Sequence, residues 1–278
     1  MSLAYTKMHG CGNDFIVIDG RDQLAEADLN RLAAILCDRR RGIGADGLIV
    51  LRKPGGTADF DMRYINATGM PGEMCGNGAR CAARFAHDLG IVGAKAAFTT
   101  DAGLIAADIG VSEVTIAMPP PRDVRLNLKL AVGGRTATVH YAVVGVPHSV
   151  TVVDDLARHP VAVEGPLLRH HEAFAQGSNA NFIALADGGI AVRTFERGVE
   201  AETLACGTGS VASLLICHLL GHAGTTATII TGGGDRLTAA LQLDGGVVTG
   251  ATLTGPATTV ARGIVDAGYL ADHGFARS

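Results

Sequence analysis

The sequence predicts an α+β fold built from two equivalent domains. Short strand-like segments outnumber helical ones along the 278 residues, which is typical of sheets formed largely from hairpins. A run of prolines interrupts the chain near its middle, and one short cysteine motif occurs on each side of that run. Together these features indicate two similar halves with an active cleft between them.

The predicted strands are rich in β-branched or apolar residues and are separated by Gly, Asp and Asn. They cover residues 14–19, 47–51, 60–65, 113–118, 136–144, 181–185, 191–195, 226–230, 237–243 and 247–253.

Fewer segments are typical of helices. In 27–39 the large aliphatic residues recur at helical spacing on one face. The other two predicted helices, 79–89 and 210–220, each follow a cysteine motif. This proportion of hairpins to helices favours α+β over a doubly wound parallel sheet.

The clearest break in the chain is Met-Pro-Pro-Pro-Arg at residues 118–122. Three successive prolines cannot lie inside a helix or a central strand, so the segment is predicted to be a stiff, extended linker. We therefore place one domain at 1–118 and the other at 119–262, and we expect the tail 263–278 to return to the first domain.

Composition excludes several classes of protein. The formal net charge is −4 without a basic stripe, and aromatic residues are few, so nucleic acid is not an expected partner. No segment reaches the roughly 20 unbroken apolar residues of a membrane span, and the N-terminus does not resemble a signal peptide. We expect a cytoplasmic protein with no membrane partner.

Most of the cysteines are expected to have packing roles. The closest pair, Cys75 and Cys81, has five residues between its members, which does not match zinc-ligand spacing, so no metal site is predicted. Cys37 and Cys217 lie in apolar helical runs and are predicted to be buried, and packing is also the favoured role for Cys11 and Cys81.

The cysteine motif is the feature that carries chemistry. Residues 73–81 read E-M-C-G-N-G-A-R-C, and residues 202–210 read E-T-L-A-C-G-T-G-S. Each motif places a cysteine, Cys75 or Cys206, in a C-G-x-G turn before a helical stretch, with a glutamate two or four residues earlier. Two matched thiols at two matched helix starts suggest one site built from two similar halves.

A helix start suits a reactive thiol for electrostatic reasons. It carries roughly half a positive charge and exposes N–H groups, so it lowers a thiol pKa and can hold a carboxylate. A carboxylate held in this way spreads the enolate charge that forms when the neighbouring Cα–H is removed. One thiolate would take that proton, and the opposite thiol would return a proton to the other face. The predicted reaction inverts a carbon centre.

A pyridoxal-phosphate enzyme could perform the same inversion, but it needs a Schiff-base lysine. The four lysines, Lys7, Lys53, Lys95 and Lys129, lie in strand-opening, loop-like, turn and linker-adjacent contexts. Neither cysteine motif has the G-K-[ST] of a phosphate-binding P-loop. A mechanism without a cofactor is therefore predicted.

Several segments match a known family in order along nearly the whole chain. They are K-M-H-G-C-G-N-D-F (7–15), R-Y-I-N-A (63–67), the first cysteine motif, F-E-R-G (195–198) and E-T-L-A-C-G-T-G (202–209). Together they resemble the diaminopimelate epimerases. The resemblance implies a cofactor-independent isomerase that interconverts LL- and meso-diaminopimelate for lysine and peptidoglycan synthesis. It also implies a homodimer of chains with two pseudo-symmetric domains, each a β-rich sheet or barrel around a central helix.

The resemblance also implies roles for individual residues. Cys75 and Cys206 would be the acid/base thiols, and Asn13 would contact the substrate near the reacting centre. The first helical turns would hold the reacting carboxylate, through Gly76, Asn77 and Gly78 and through Gly207, Thr208 and Gly209. Asn66, Asn179 and Arg197 would hold the distal carboxylate, Glu196 would hold the distal amine, and His148 would tune the site.

These polar residues also have simpler interpretations. Glu196 and Arg197 alone would be read as a surface ion pair, although a bidentate guanidinium suits a carboxylate. His148 could be a packing histidine after Pro147. Asn66 and Asn179 are common turn residues, so their assignment depends mainly on the resemblance.

Two segments depart from the family pattern. The family's G-N-P-H reads Gly-Val-Pro-His at 145–148, so Val146 replaces an amide that contacts substrate in the family. Residues 67–71 read A-T-G-M-P, where the family usually has an acidic residue and no proline. Both changes concern substrate contacts and leave the two thiols and their glycines intact.

Three functional hypotheses follow. The first is a diaminopimelate epimerase. The second keeps the fold and the chemistry but changes the substrate to another amino acid, for example histidine. The third is a non-enzymatic redox or binding protein that uses Cys75 and Cys206, since two facing thiols can oxidise to a disulfide.

Overall fold

The protein is described by a computed structural model that covers residues 3–22, 24–72 and 75–275. Glu73 and Met74 of the first cysteine motif lie outside the described residues. The chain divides into two compact units. The first comprises Met1–Thr115 and Pro256–Ser278, and the second comprises Ile116–Gly255.

The described residues form seventeen strands and five α-helices. The strands are β1 Leu3–Gly10, β2 Asn13–Asp19, β3 Gly47–Arg52, β4 Phe60–Asn66, β5 Lys95–Thr100, β6 Gly103–Ile109, β7 Glu113–Met118, β8 Arg122–Val132, β9 Arg135–Val144, β10 Val146–Val152, β11 Asn179–Ala186, β12 Gly189–Glu196, β13 Ala201–Thr203, β14 Thr226–Ile230, β15 Arg236–Asp244, β16 Val247–Pro256 and β17 Thr258–Val265. The helices are α1 Leu29–Leu36, α2 Gly76–Asp88, α3 Val161–Arg169, α4 Gly207–Leu219 and α5 Ala267–Asp272.

Both units use the same order of strand pairing. In the first unit the order is β17-β1-β2-β3-β4-β5-β6, with parallel pairs β2–β3 and β4–β5 and antiparallel pairs elsewhere. In the second unit it is β8-β9-β10-β11-β12-β14-β15, with parallel pairs β10–β11 and β12–β14. The predicted α+β class with two pseudo-symmetric halves is confirmed.

Each sheet is covered on both faces, which explains its nearly continuous apolar strands. In the first unit, alternate residues of β2 and β3 pack with α1 in one apolar cluster, and Phe15 and Ile49 lie on the other face beside α2. In the second unit, α3 packs on β11 and β12. The cysteine-bearing helices α2 and α4 are buried along most of their length, so each is the central helix of its unit.

All ten predicted strands lie within observed strands. The sequence missed β1, β5, β6, β8, β10, β13 and β17, of which β8 and β17 are largely exposed and have no long apolar run. The helix predicted over 27–39 was too long, because α1 ends at Leu36. The carbonyl of Leu36 accepts hydrogen bonds from Ile43 and Gly44, so the chain turns back there. None of the helices in the described ranges is long and apolar enough to span a bilayer.

Candidate active site

Cys75 and Cys206 occupy the same position in their units. Each is the N-cap of a 13-residue helix, with backbone angles φ −116°, ψ 109° at Cys75 and φ −117°, ψ 111° at Cys206. Both helices end in the same way, with Gly90 at φ 70° and Gly221 at φ 75° closing the last turn. The sequence therefore repeats a whole cap–helix–cap unit.

The glycines of each motif lie inside the helix. The prediction that the helices begin at Ala79 and Ser210, after Gly-rich turns, was wrong, because Gly76 and Gly207 already have helical conformation. The first intrahelical bonds run from the Ala79 N–H to the Cys75 carbonyl and from the Ser210 N–H to the Cys206 carbonyl. The N–H groups of 76–78 and of 207–209 therefore precede the first backbone hydrogen bond of their helix, in the turn where an anion can bind.

The thiol of Cys75 lies among amide groups. Its Sγ donates to Asn13 Oδ1 at 3.4 Å and accepts from the Gly78 N–H at 3.5 Å. Asn77 Nδ2 donates to the same Asn13 oxygen at 3.5 Å. The structure thus brings together Asn13, Cys75 and Asn77, three residues that the sequence assigned to one site.

Asn13 has a fixed orientation. Its Nδ2 donates to Asp46 Oδ2 at 2.7 Å, which leaves the carbonyl oxygen directed at the Cys75 thiol. Asp46 in turn accepts from Arg39 at 2.7 Å, and Arg39 also binds the neighbouring Asp14. Burial raises the pKa of Asp14, but hydrogen bonds from Arg39 and Lys7 outweigh it and lower the pKa to about 2. Asp14 is therefore ionised at neutral pH.

A small pocket lies beside Cys75 in the first unit. Its lining is mostly apolar or aromatic and includes Met62, Tyr64 and Ile105, together with the carboxylate of Asp101. Arg63 donates to Asp101 at 2.8 Å, so the charge of that carboxylate is balanced. Cys75 is partly exposed, whereas Cys206 is 8% exposed.

The thiol of Cys206 lies among hydroxyl groups. Its Sγ is 3.6 Å from Thr208 Oγ1, and a smaller pocket beside it is lined by Thr194, Thr203, Ser210 and Thr231. Ser210 Oγ donates back to the Cys206 carbonyl at 2.8 Å.

A buried polar network lies under the second helix start. His148 and Asn181 are fully buried on adjacent strands, and Asn181 Nδ2 lies 3.2 Å from His148 Nδ1. Thr194 Oγ1 donates to Asn181 Oδ1 at 2.9 Å. Burial, with a smaller contribution from Arg197, lowers the pKa of His148 to about 3, so the imidazole is neutral at pH 7. Sequence reasoning missed Asn181 and Thr194, which resemble ordinary strand residues and gain their role only from pairing.

The side chain of Asn179 connects two backbone segments of the second unit. It donates to the Pro147 carbonyl at 3.2 Å and accepts from the Arg197 N–H at 2.7 Å. It therefore fixes the turn that carries Arg197, whose guanidinium donates to the Gln176 carbonyl at 3.4 Å. Glu196 ends β12 and accepts from Thr203 Oγ1 at 2.8 Å.

Two other motif residues have structural contacts. The glutamate of the second cysteine motif, Glu202, receives two hydrogen bonds from Arg193 at 2.6 and 2.8 Å. Asn66 Oδ1 accepts from Thr68 and from the Met70 N–H, so the altered segment 67–71 is a closed turn built on Asn66. The half-buried Val146 begins β10, just after Gly145 at φ 69°.

The remaining cysteines pack as predicted. Cys11, Cys37, Cys81 and Cys217 are all buried. Burial raises the pKa of the Cys37 and Cys81 thiols to about 12 and that of Cys217 to about 11, so these three stay protonated. Within 3–22, 24–72 and 75–275 no group of three or more His, Cys, Asp or Glu side chains is arranged to hold a metal ion.

Comparison with known proteins identifies the family. The diaminopimelate epimerase family model matches residues 5–122 and 140–260. The chain belongs to the diaminopimelate epimerase family. A family member from Hydrogenobaculum sp., named diaminopimelate epimerase, is 39% identical over 277 residues, covering 95% of this chain and 98% of its own. Another of that name, from Chlorobaculum tepidum, is 45% identical over 219 residues, covering 77% of this chain and 83% of its own. These relatives favour the first functional hypothesis over the other two.

Solved structures confirm the epimerase-like fold. A Bacillus anthracis protein of the PhzF family superposes with a TM-score of 0.78 at 15% identity, covering 96% of this chain and 99% of its own. A hydroxyproline epimerase from Agrobacterium vitis superposes with a TM-score of 0.73 at 19% identity, covering 95% and 91%. At these identities the similarity shows a shared fold and does not extend to a substrate.

Proposed function

We propose that this protein is a diaminopimelate epimerase that interconverts the LL and meso isomers without a cofactor. Its product would serve lysine and peptidoglycan synthesis. Family membership supports the substrate, and the duplicated helix start supports the reaction. We also infer from the family resemblance that the active form is a homodimer.

The observation that carries the proposal is the matched pair of N-cap cysteines. A reaction that inverts a carbon needs one proton acceptor and one proton donor, on opposite faces. Cys75 and Cys206 have the same side-chain chemistry and the same backbone conformation at two equivalent helix starts. The other cysteines for which burial raises the pKa to 11 or 12 are poorly suited to this role.

In the proposed reaction, one thiolate takes the α-proton and becomes a thiol. The electron pair of the broken C–H bond moves into the adjacent carboxylate, whose added charge is stabilised by N–H groups of 76–78 and 207–209. The opposite thiol then donates its proton to the other face of the carbon and becomes a thiolate. The two cysteines have exchanged protonation states, so the reverse reaction needs no further group.

The distal end of diaminopimelate is a second amino-acid group and needs its own contacts. Arg197 supplies a guanidinium for the distal carboxylate, on a turn that Asn179 holds. Glu196 supplies a carboxylate for the distal ammonium, and Asn66 lies at the end of the equivalent strand β4 in the first unit. Val146 cannot donate the hydrogen bond that an amide at this position gives in the family.

Proton exchange in heavy water tests the function. The reduced protein is incubated with LL-diaminopimelate, and the α-proton signal and the meso form are followed by NMR. We expect loss of the α-proton together with appearance of the meso form. Histidine and proline serve as matched substrates, and no exchange is expected with either. Exchange with one of them, and none with LL-diaminopimelate, would contradict the proposal.

A further inference from the structure

Arg80 is a fully buried arginine one turn into α2. Its guanidinium donates to Asn77 Oδ1 at 2.8 Å, to the Pro256 carbonyl at 3.2 Å and to the Gly76 carbonyl at 3.4 Å. Its fourth contact is Cys11 Sγ at 3.6 Å. Across the described ranges, none of its hydrogen-bond partners is a carboxylate. A charge buried in this way is costly, so it is expected to have a function that an apolar side chain could not supply.

The second unit has no such charge at the equivalent position. Counting from the N-cap cysteine, Arg80 corresponds to Val211 of α4, which is also fully buried. Space for the guanidinium depends on Gly10, where a Cβ would lie 3.2 Å from Arg80 Nη2. Gly10 of β1 therefore contributes to the difference between the two helices, because it leaves space for the Arg80 guanidinium.

Arg80 contacts both segments that define the surroundings of Cys75. Through Asn77 and Gly76 it holds the first turn of α2. Through Cys11 it holds the hairpin turn between β1 and β2, where Cys11 and Gly12 have φ of 54° and 78°. Asn13 follows directly in that hairpin and directs its oxygen at the thiol.

We propose that Arg80 is a positioning residue for the reaction proposed above, on which this inference rests. It orients Asn77 and the hairpin so that Asn13 meets the Cys75 thiol, and its buried charge favours the thiolate of Cys75. The oxygen of Asn13 favours the thiol form, so the two influences oppose each other and keep Cys75 able to act as acid and as base. In α4 the position equivalent to Arg80 is held by the apolar Val211.

Other ionisable groups also lie near Cys75. Tyr64 and Asp101 line the same pocket, and Asp101 is paired with Arg63 at 2.8 Å. Asp14, adjacent to Asn13, is paired with both Lys7 and Arg39. Cys81, on the same helix, stays protonated because burial raises its pKa to about 12. Among these described neighbours, Arg80 is the buried cation that no carboxylate balances.

Alkylation of the native protein by iodoacetamide tests the inference without any substrate. The rate at each cysteine is measured between pH 5 and 9 by mass spectrometry, for the unmodified protein and for Arg80→Gln. We expect the midpoint for Cys75 to rise by about one pH unit, which makes its alkylation about tenfold slower on the acidic side. Cys206 serves as an internal control and should keep its midpoint.

An unchanged Cys75 midpoint in folded Arg80→Gln would overturn the inference, and so would equal shifts at both cysteines. Arg80→Lys keeps the charge but not the fork that reaches both Asn77 and Cys11. We expect Arg80→Lys to keep the Cys75 midpoint and to lower kcat at least fivefold. If Arg80→Gln does not fold, Arg80→Lys alone tests the positioning role. Unchanged kcat in Arg80→Lys would contradict the positioning role. Failure of the proposed function would appear separately, as absence of epimerisation by the unmodified protein.

Discussion

The helix starts at Cys75 and Cys206 share their length, their cap angles and their closing glycines, but the strands beneath them differ in chemistry. In the first unit, Phe15 and Ile49 lie under the helix, and the three atoms of other elements nearest to a Cβ at Gly78 would all be apolar. In the second unit, the strand register places His148 and Asn181 at the equivalent positions. A duplicated backbone can therefore present the same thiol twice, while the packing beneath each thiol sets different electrostatic surroundings.

The largest effect is expected when either thiol is removed. Cys75→Ala and Cys206→Ala should each lower the rate of epimerisation by at least about 1,000-fold, because the proposed reaction needs both a proton acceptor and a proton donor. Cys37→Ala changes a buried cysteine in the apolar cluster that packs around α1, and its rate of epimerisation should stay within about threefold of that of the unmodified protein. Near-normal turnover by both single variants would show that the two helix starts do not act together.

Gly78 and Gly209, the second glycine of each cysteine motif, should respond differently to replacement by alanine. A Cβ at Gly209 would lie 2.3 Å from Asn181 Oδ1 and 3.2 Å from Cys206 Sγ. Gly209→Ala should therefore displace the Asn181 amide, lower kcat about 100-fold and destabilise the fold by about 1–3 kcal/mol. Gly78→Ala brings a Cβ 3.1 Å from the end of the Ile49 side chain, which can shift, so its effect should be smaller. Steady-state kinetics and thermal unfolding of both variants measure the difference, and equal effects would contradict it.

Asn13 and Val146 form a second matched pair. Asn13 is the first residue of β2, and Val146 is the first residue of β10. In each strand the third residue, Phe15 or His148, makes the first pair with the neighbouring parallel strand. Asn13→Val removes the bond to the Cys75 thiol and should lower kcat/KM roughly 30-fold. Val146→Asn places an amide at the equivalent position of the second unit and should lower KM about threefold with little change in kcat. An unchanged KM in Val146→Asn would show that this position does not contact the substrate.

Much of this comparison could be predicted from the sequence, and part of it could not. The residue spacing from each cysteine to its closing glycine is the same, so two equivalent helices were predictable. Their first residues were misplaced because glycine is a poor helix former, and the buried N-cap geometry outweighs that preference. The His148–Asn181–Thr194 network depends on the register of the β11–β12 hairpin and on its pairing with β10, which lies before α3, so no local pattern reveals it. Arg80 was overlooked because arginine in a helix usually faces solvent.

Stability at mildly acidic pH should depend on the second unit's network. The folded-state pKa of His148 is about 3, below its ordinary value, so between pH 6.5 and 3 the unfolded chain binds a proton that the folded chain does not. Stability is therefore lost as the pH falls, by about 2 kcal/mol from this group between pH 7 and pH 5. Asp14, with a pKa of about 2, affects stability only below about pH 4.

His148→Asn isolates this contribution, because asparagine can still accept from Asn181 and does not titrate. Urea unfolding at pH 7 and pH 5 should show a smaller loss of stability in the variant than in the unmodified protein. The pKa values of His140 and His159 are also lowered by burial, but both residues are present in both proteins and cancel in the difference. Equal losses would contradict a buried, neutral His148.

The central claim is that the two thiols act on opposite faces of one carbon. The most direct test follows α-proton exchange in heavy water by Cys75→Ala and Cys206→Ala, each with LL- and with meso-diaminopimelate. Each variant retains one base, so it should exchange the proton at the inverting carbon of one isomer without inverting it. The two variants should prefer opposite isomers. Exchange of the same isomer by both variants, or inversion by either one, would contradict the account.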